Sequence, residues 1–159
     1  MAWVHFLSSP ADSTKVFEAW LREIARQHKT FAVKTVRHDG DRADFGNTTF
    51  KNLLKKYDII SEQAGTSTDN AKVERRIGVA TTDSLTNMAW CHGPRGWWSY
   101  STACSVTTRN LNPTPTNPGH MSPYEYAYGH KPDYSILVPF GCLAFTVVDN
   151  KDMKGQNQL

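Results

Sequence analysis

The sequence predicts an α/β protein of mixed type, in which short strands alternate with amphipathic helices. Three observations carry that reading. An apolar stripe at helical spacing runs from Thr14 to His28. Runs rich in β-branched and aromatic residues flank it, AWVHFL at 2–7 and FAVKTVR at 31–37. A second helical stripe starts at Asn47 and is followed at once by the apolar pair Ile59 and Ile60. The 159 residues suffice for one core of useful size, and 39% hydrophobic with 11% aromatic residues marks a globular composition.

Residues 2–7 read as the first strand, with Trp3, Val4 and Phe6 as its large side chains. SSPAD then supplies a turn and a helix start, with Asp12 or Ser13 as the N-cap. In the helix that follows, Val16, Phe17, Trp20, Leu21 and Ile24 share a face opposite Lys15, Arg22, Glu23 and Arg26. That stripe is core packing and not a ligand box. FAVKTVR reads as a strand ending at His38 and Asp39, after which Asp39, Asp41 and Asp44 lie in a polar stretch with Gly40. One account of these acids is a turn that caps the next helix. The other is a carboxylate at the C-terminal end of a strand, where α/β folds place their ligands.

From Asn47, Phe50, Leu53, Leu54 and Tyr57 define a second amphipathic helix, with Lys51, Lys55 and Lys56 away from its apolar face. Such a basic stripe is a solvated surface or a contact for phosphates. Ile59 and Ile60 give a very short strand, and the residues 61–70, SEQAGTSTDN, read as a loop without a large apolar side chain. Val73, Ile77, Leu85 and Met88 then support a helix to Cys91, against the poor helix formers Gly78, Thr81, Thr82 and Thr86. HGPRG breaks the chain, residues 97–109 make a weaker helix, and NLNPTPTNPG is an irregular connector. Ser122, Pro123 and Glu125 match the N-cap, N1 and N3 positions of a capping box, opening a short helix closed by Gly129. A β-rich run follows from Phe140 to Val148, and then a polar tail.

Composition narrows the function classes less sharply. A net charge of +3 suits a polyanionic partner but is ordinary for a globular protein. Cys91, Cys104 and Cys142 form no CxxC pair, so a disulfide framework or zinc site is not expected, and buried thiols in a reducing compartment are. No apolar run approaches the roughly 18 residues of a membrane span. The N-terminus lacks the basic region of a signal peptide, and the expected location is intracellular.

Four segments resemble the integrase catalytic core of copia-type retrotransposon Pol polyproteins, a ribonuclease H-like fold of the retroviral integrase superfamily. WVHFL with the helix after it is similar to that family's third core strand and following helix. VKTVRHDGDRADF resembles the strand and turn that carry its second catalytic Asp. DNAKVERR resembles its Gln-Asn-Gly-x-x-Glu-Arg segment, retaining Asn70, Glu74 and Arg75. SPYEYAYGHKPDYSILVPFGCLAF follows a segment just past the core, where a Pro-Tyr-Glu helix leads through Lys-Pro-Asp to Phe-Gly-Cys.

The resemblance implies an incomplete core lacking the first two strands, with residues 1–110 as the partial catalytic core and 111–159 as a post-core extension. It implies Asp39 and Glu74 as the second and third members of an acid triad that holds Mg²⁺ or Mn²⁺, ions that prefer oxygen ligands. Asn70, Lys72, Arg75 and Arg76 would meet the DNA backbone. The implied partners are DNA, further copies of the chain or other Pol-derived chains, with no membrane, and the implied location is the nucleus. The family's first Asp has no counterpart here, since Asp12, Glu18 and Glu23 lack a matching strand context. The turn after Asp39 holds an extra residue, the loop before Glu74 is shorter, and Asp69 and Ala71 replace the family's Gln and Gly. Two carboxylates without the third leave their mutual repulsion less compensated, so the expected fragment is catalytically incompetent alone. A non-catalytic nucleic-acid-binding module and an inert transposon remnant are the alternatives. Cys91 beside His92 suggests a nucleophile only weakly, because no third orienting group accompanies them.

Overall fold

The computed structural model describes residues 1–27, 32–38, 47–64 and 71–144. They fall into two units, Met1–Asp83 and Ser84–Leu159. In the first, Ser9 caps a 3-10 turn, Pro10–Asp12, its Oγ accepting from the Ala11 N–H at 3.3 Å. The turn feeds directly into helix α1, Ser13–Gln27, so Ser13 opens the helix instead of capping it. Strand β1 is Thr35–His38, helix α2 is Thr48–Lys56 and strand β2 is Ile60–Gln63. Asn47 caps α2, its Oδ1 accepting from the Phe50 N–H at 2.7 Å.

The two strands pair in parallel, Thr35 opposite Ile60 and His38 opposite Gln63, with α2 in the crossover between them. The core lies where α1 and α2 meet the sheet. Leu21, Phe50, Leu54 and Ile59 form its buried centre, with Phe17, Trp20, Val33, Val36 and Tyr57 packed around it. Phe17 stacks on Trp20 at 5.5 Å and tilts against Phe50 at 5.4 Å. The helical stripes of α1 and α2 are thus the core faces their periodicity predicts.

Two strand expectations change in this unit. Residues 2–7 join no ladder among the described residues. Trp3 instead packs edge-on against Trp20, ring centroids 5.4 Å apart. A β-rich composition marks a segment suited to a pleated, half-buried surface, and a neighbouring strand decides whether it becomes one. Conversely, β2 extends past Ile60 into Ser61, Glu62 and Gln63, which composition assigns to a loop. Pairing with β1 is the reason. The Arg37 guanidinium reaches Glu62 at 2.9 Å and the His38 ring meets Ser61 Oγ at 3.0 Å, so polar side chains tie the strands on a solvated surface.

Helix α3, Ala71–Cys91, begins in the first unit and ends in the second. A 3-10 turn, Arg95–Trp97, leads into α4, Trp98–Leu111. Small hydroxyl side chains join the end of α3 to α4. Ser101 Oγ donates to the Ser84 carbonyl at 2.9 Å, Thr102 Oγ1 lies 3.1 Å from Ser84 Oγ, and Asn87 Nδ2 donates to Ser105 Oγ at 3.2 Å. The packing surface here is thus made of small polar side chains, Ser84, Ser101, Thr102 and Ser105, while Thr81, Thr82 and Thr86 of α3 stay exposed. Ser122 then caps α5, Pro123–Tyr128, by accepting from the Glu125 N–H at 3.0 Å, and Gly129 closes it at φ 75°, the left-handed conformation glycine adopts without steric cost. The expected strand from Phe140 to Val148 is not formed by its described part: Phe140 and Gly141 lie in a turn and residues 142–144 carry no strand. Residues 145–148 lie outside the described residues.

Candidate functional site

Parallel pairing brings the C-terminal ends of β1 and β2 to one edge of the sheet, and α3 follows from that edge in chain order. β1 ends at His38, whose carbonyl accepts from the Ala64 N–H at 2.8 Å. Asp39 is the next residue and lies outside the described residues, as does Asn70. Glu74 stands in the first turn of α3 and is exposed. A carboxylate there also suits the positive end of the helix dipole, which is a structural reason for its presence. Among the described residues, no three His, Cys, Asp or Glu side chains gather as a metal site would require. The described residues hold one of the two expected carboxylates.

Lys72, Arg75 and Arg76 are exposed on the same turns of α3. Arg76 is close enough to the chain's first residue to act on it: burial, and then the Arg76 charge, hold the Met1 amine below its usual range. In contrast, Lys56 of the α2 basic stripe is committed elsewhere. Its Nζ donates to Glu18 Oε1 at 2.7 Å and sits 5.2 Å from the Tyr57 ring centroid. Arg22 joins the same carboxylate at 2.9 Å. Hydrogen bonds from Lys56 and then Arg22 pull Glu18 down to about 2. This strongly perturbed carboxylate belongs to the α1–α2 packing. Sequence reading misses it because its partner Lys56 lies 38 positions away. The Arg37–Glu62 pair is missed in the same way, since only the parallel register brings the two together.

No protein-family model and no curated protein matches the sequence. Among solved structures, the chain is similar to the integrase catalytic core domain of HTLV-2, in complex with magnesium and in trimeric form. The TM-score is 0.53 at 17% identity, over 72% of this chain and 69% of that one. The likeness is one of fold. This chain has an integrase-core-like fold, of mixed helices and a small sheet, as the sequence predicts. No helix among the described residues is long and apolar enough to cross a membrane.

Proposed function

We propose that this chain is part of the integrase catalytic core of a copia-type retrotransposon polyprotein, and that it acts on DNA in the nucleus. Residues 1–110 are its partial core and 111–159 its extension. Asp39 and Glu74 are the second and third acids of the triad and the ligands for Mg²⁺ or Mn²⁺. Asn70, Lys72, Arg75 and Arg76 meet the DNA backbone. The observation that carries the reading is the order β1, α2, β2, α3 within an integrase-core-like fold, with Asp39 following β1 directly and Glu74 in the first turn of α3. Two carboxylates are hard oxygen donors and fit such ions chemically. When bound, the ion supplies charge stabilisation at a phosphodiester. Two such ligands by themselves hold it weakly, and on these residues alone no turnover is expected.

Titration with Mn²⁺, followed by water-proton relaxation, tests the ligands, and an oligonucleotide nicking and strand-transfer assay tests the chemistry. The expected result is weak Mn²⁺ binding that both Asp39→Asn and Glu74→Gln diminish, with no turnover. Binding unchanged in both variants would remove these carboxylates from the reading. Robust metal-dependent nicking, lost in Asp39→Ala and Glu74→Ala, would overturn the expected absence of turnover.

The exposure of Lys72, Arg75 and Arg76 supports a second reading, a non-catalytic nucleic-acid-binding module. Phosphate contacts make affinity fall with salt, by a slope of about 0.9 in log units per phosphate neutralised on duplex DNA. Gel shifts across a salt series should therefore lose about one unit of slope in Arg75→Ala and again in Arg76→Ala. Absence of any shift at low salt eliminates this second reading.

A further inference from the structure

The Phe140-Gly141-Cys142 run lies in the segment SPYEYAYGHKPDYSILVPFGCLAF, and the function proposed above makes no use of it. Within the second unit it lies against the end of α3. Cys91 closes that helix, its Sγ set 3.7 Å from the Met88 carbonyl. Two glycines border the thiol. A Cβ on Gly93 would stand 2.9 Å from Cys91 Sγ, and one on Gly141 would stand 2.9 Å from the same sulfur and overlap Cys91 Cβ. The backbone at Gly141 therefore approaches Cys91 as closely as a residue without a side chain permits. Gly141 also has φ +79°, which disfavours any replacement. The approach is anchored on both sides. Phe140 meets Trp97 edge-on at 6.5 Å, and the Cys142 N–H closes a turn onto the Pro139 carbonyl at 3.2 Å.

Cys142 follows Gly141 directly, and consecutive Cα atoms are about 3.8 Å apart. It therefore lies one residue from the point where the backbone meets Cys91, and a disulfide between the two requires Cα atoms roughly 4.4–6.8 Å apart. Their accessibility differs. Cys142 is exposed, whereas Cys91 and Cys104 are both half-buried, Cys104 within α4. An exposed thiol beside a sheltered one is the arrangement of an attacking and a resolving cysteine.

We propose that Cys142 is a site of oxidative modification by small-molecule disulfides of the glutathione class, and that Cys91 resolves the product into a Cys91–Cys142 disulfide. The Cys142 thiolate attacks one sulfur of the small disulfide and expels its other half as a thiolate, leaving a mixed disulfide. The Cys91 thiolate then attacks Cys142 Sγ and expels the second half. The protein gives up two electrons and two protons, and the small disulfide leaves as two thiols. The product fastens the 139–142 turn to the end of α3. Such bonds in a reducing compartment are transient and respond to its redox state.

The full chain, incubated with graded ratios of oxidised to reduced glutathione, is quenched with acid and mapped by non-reducing peptide mass spectrometry. The expected crosslink is Cys91–Cys142, lighter by two hydrogens and formed undiminished in Cys104→Ser. Cys91→Ser should instead accumulate glutathione on Cys142. The same incubation in concentrated guanidinium controls for the fold. There the shorter Cys91–Cys104 loop closes more readily, so the preference for Cys142 should disappear. A native chain that pairs Cys104 as often as Cys142, or that stops at the mixed disulfide, overturns the proposal.

Discussion

Glu18 shows how one residue joins two elements across the sequence. Lys56 and Arg22 converge on its carboxylate at 2.7 and 2.9 Å and hold it near 2, against an ordinary 4.5. Because the folded value lies below the unfolded one, the ionised form favours the fold. The contribution is whole above about 4.5 and is lost as the pH falls toward about 2. Urea unfolding at a series of pH values should show stability declining across that window, and declining less in Glu18→Gln. Added salt should shrink the difference between the two proteins, since the carboxylate is 25% exposed. Parallel pH profiles would remove Glu18 from the acid dependence. At Ser122 the relevant interaction is local. Its buried hydroxyl accepts from the Glu125 N–H, and Ser122→Ala should cost about 1 kcal/mol in the same assay, with Ser122→Asp recovering part of it. The contrast explains what a sequence discloses at this scale. Ser122 and Glu125 are three positions apart and readable as a cap, whereas nothing in the order of residues joins Glu18 to Lys56.

Elements differ in how far their apolar patterns find a neighbour. Phe50 in α2 is 1% exposed, so Phe50→Ala should lose about 3–5 kcal/mol by denaturant titration. Val73 and Ile77 in α3 fall at helical spacing just as Phe50 and Leu54 do. Yet they are 57% and 61% exposed, and residues 71–78 are exposed on every side of the helix. Ile77→Ala should therefore change stability by no more than about 0.5 kcal/mol. A loss comparable to that of Phe50→Ala would mean that this face is covered in solution. Periodicity made α1, α2 and α3 legible as helices, but it reports only which residues share a face and not what lies opposite. For the same reason AWVHFL, a strand by composition, forms none among the described residues, and Ser61–Gln63, a loop by composition, forms one. Asp39 was legible as a strand-end carboxylate and Glu74 by family pattern alone; Glu74 lies in a helical first turn, and Asp39 lies outside the described residues.

Across the molecule, apolar burial is unequal between the two units. Every buried hydrophobic residue among the described ones except Leu111 belongs to the first: Leu21, Ile24, Phe50, Leu53, Leu54 and Ile59. The second relies on small polar contacts, with Ser101, Ser105, Asn110 and Ser122 buried. Burying a large aliphatic or aromatic side chain contributes about 1.5–3 kcal/mol, whereas a hydrogen bond within the fold contributes a net of about 0.5–1.5 kcal/mol. The second unit therefore has the smaller reserve against local opening, which proceeds at lower free energy where buried apolar contacts are few. Amide hydrogen exchange under native conditions should show α1 and α2 protected up to the global unfolding limit. The amides of α4 and α5 should exchange well before it, even though α4 contains 14 residues to the 9 of α2. Protection in α4 equal to that in α2 would mean that the Ser84–Ser101–Ser105 contacts are cooperative beyond their individual strengths. The division of stability argued from buried area would then be wrong.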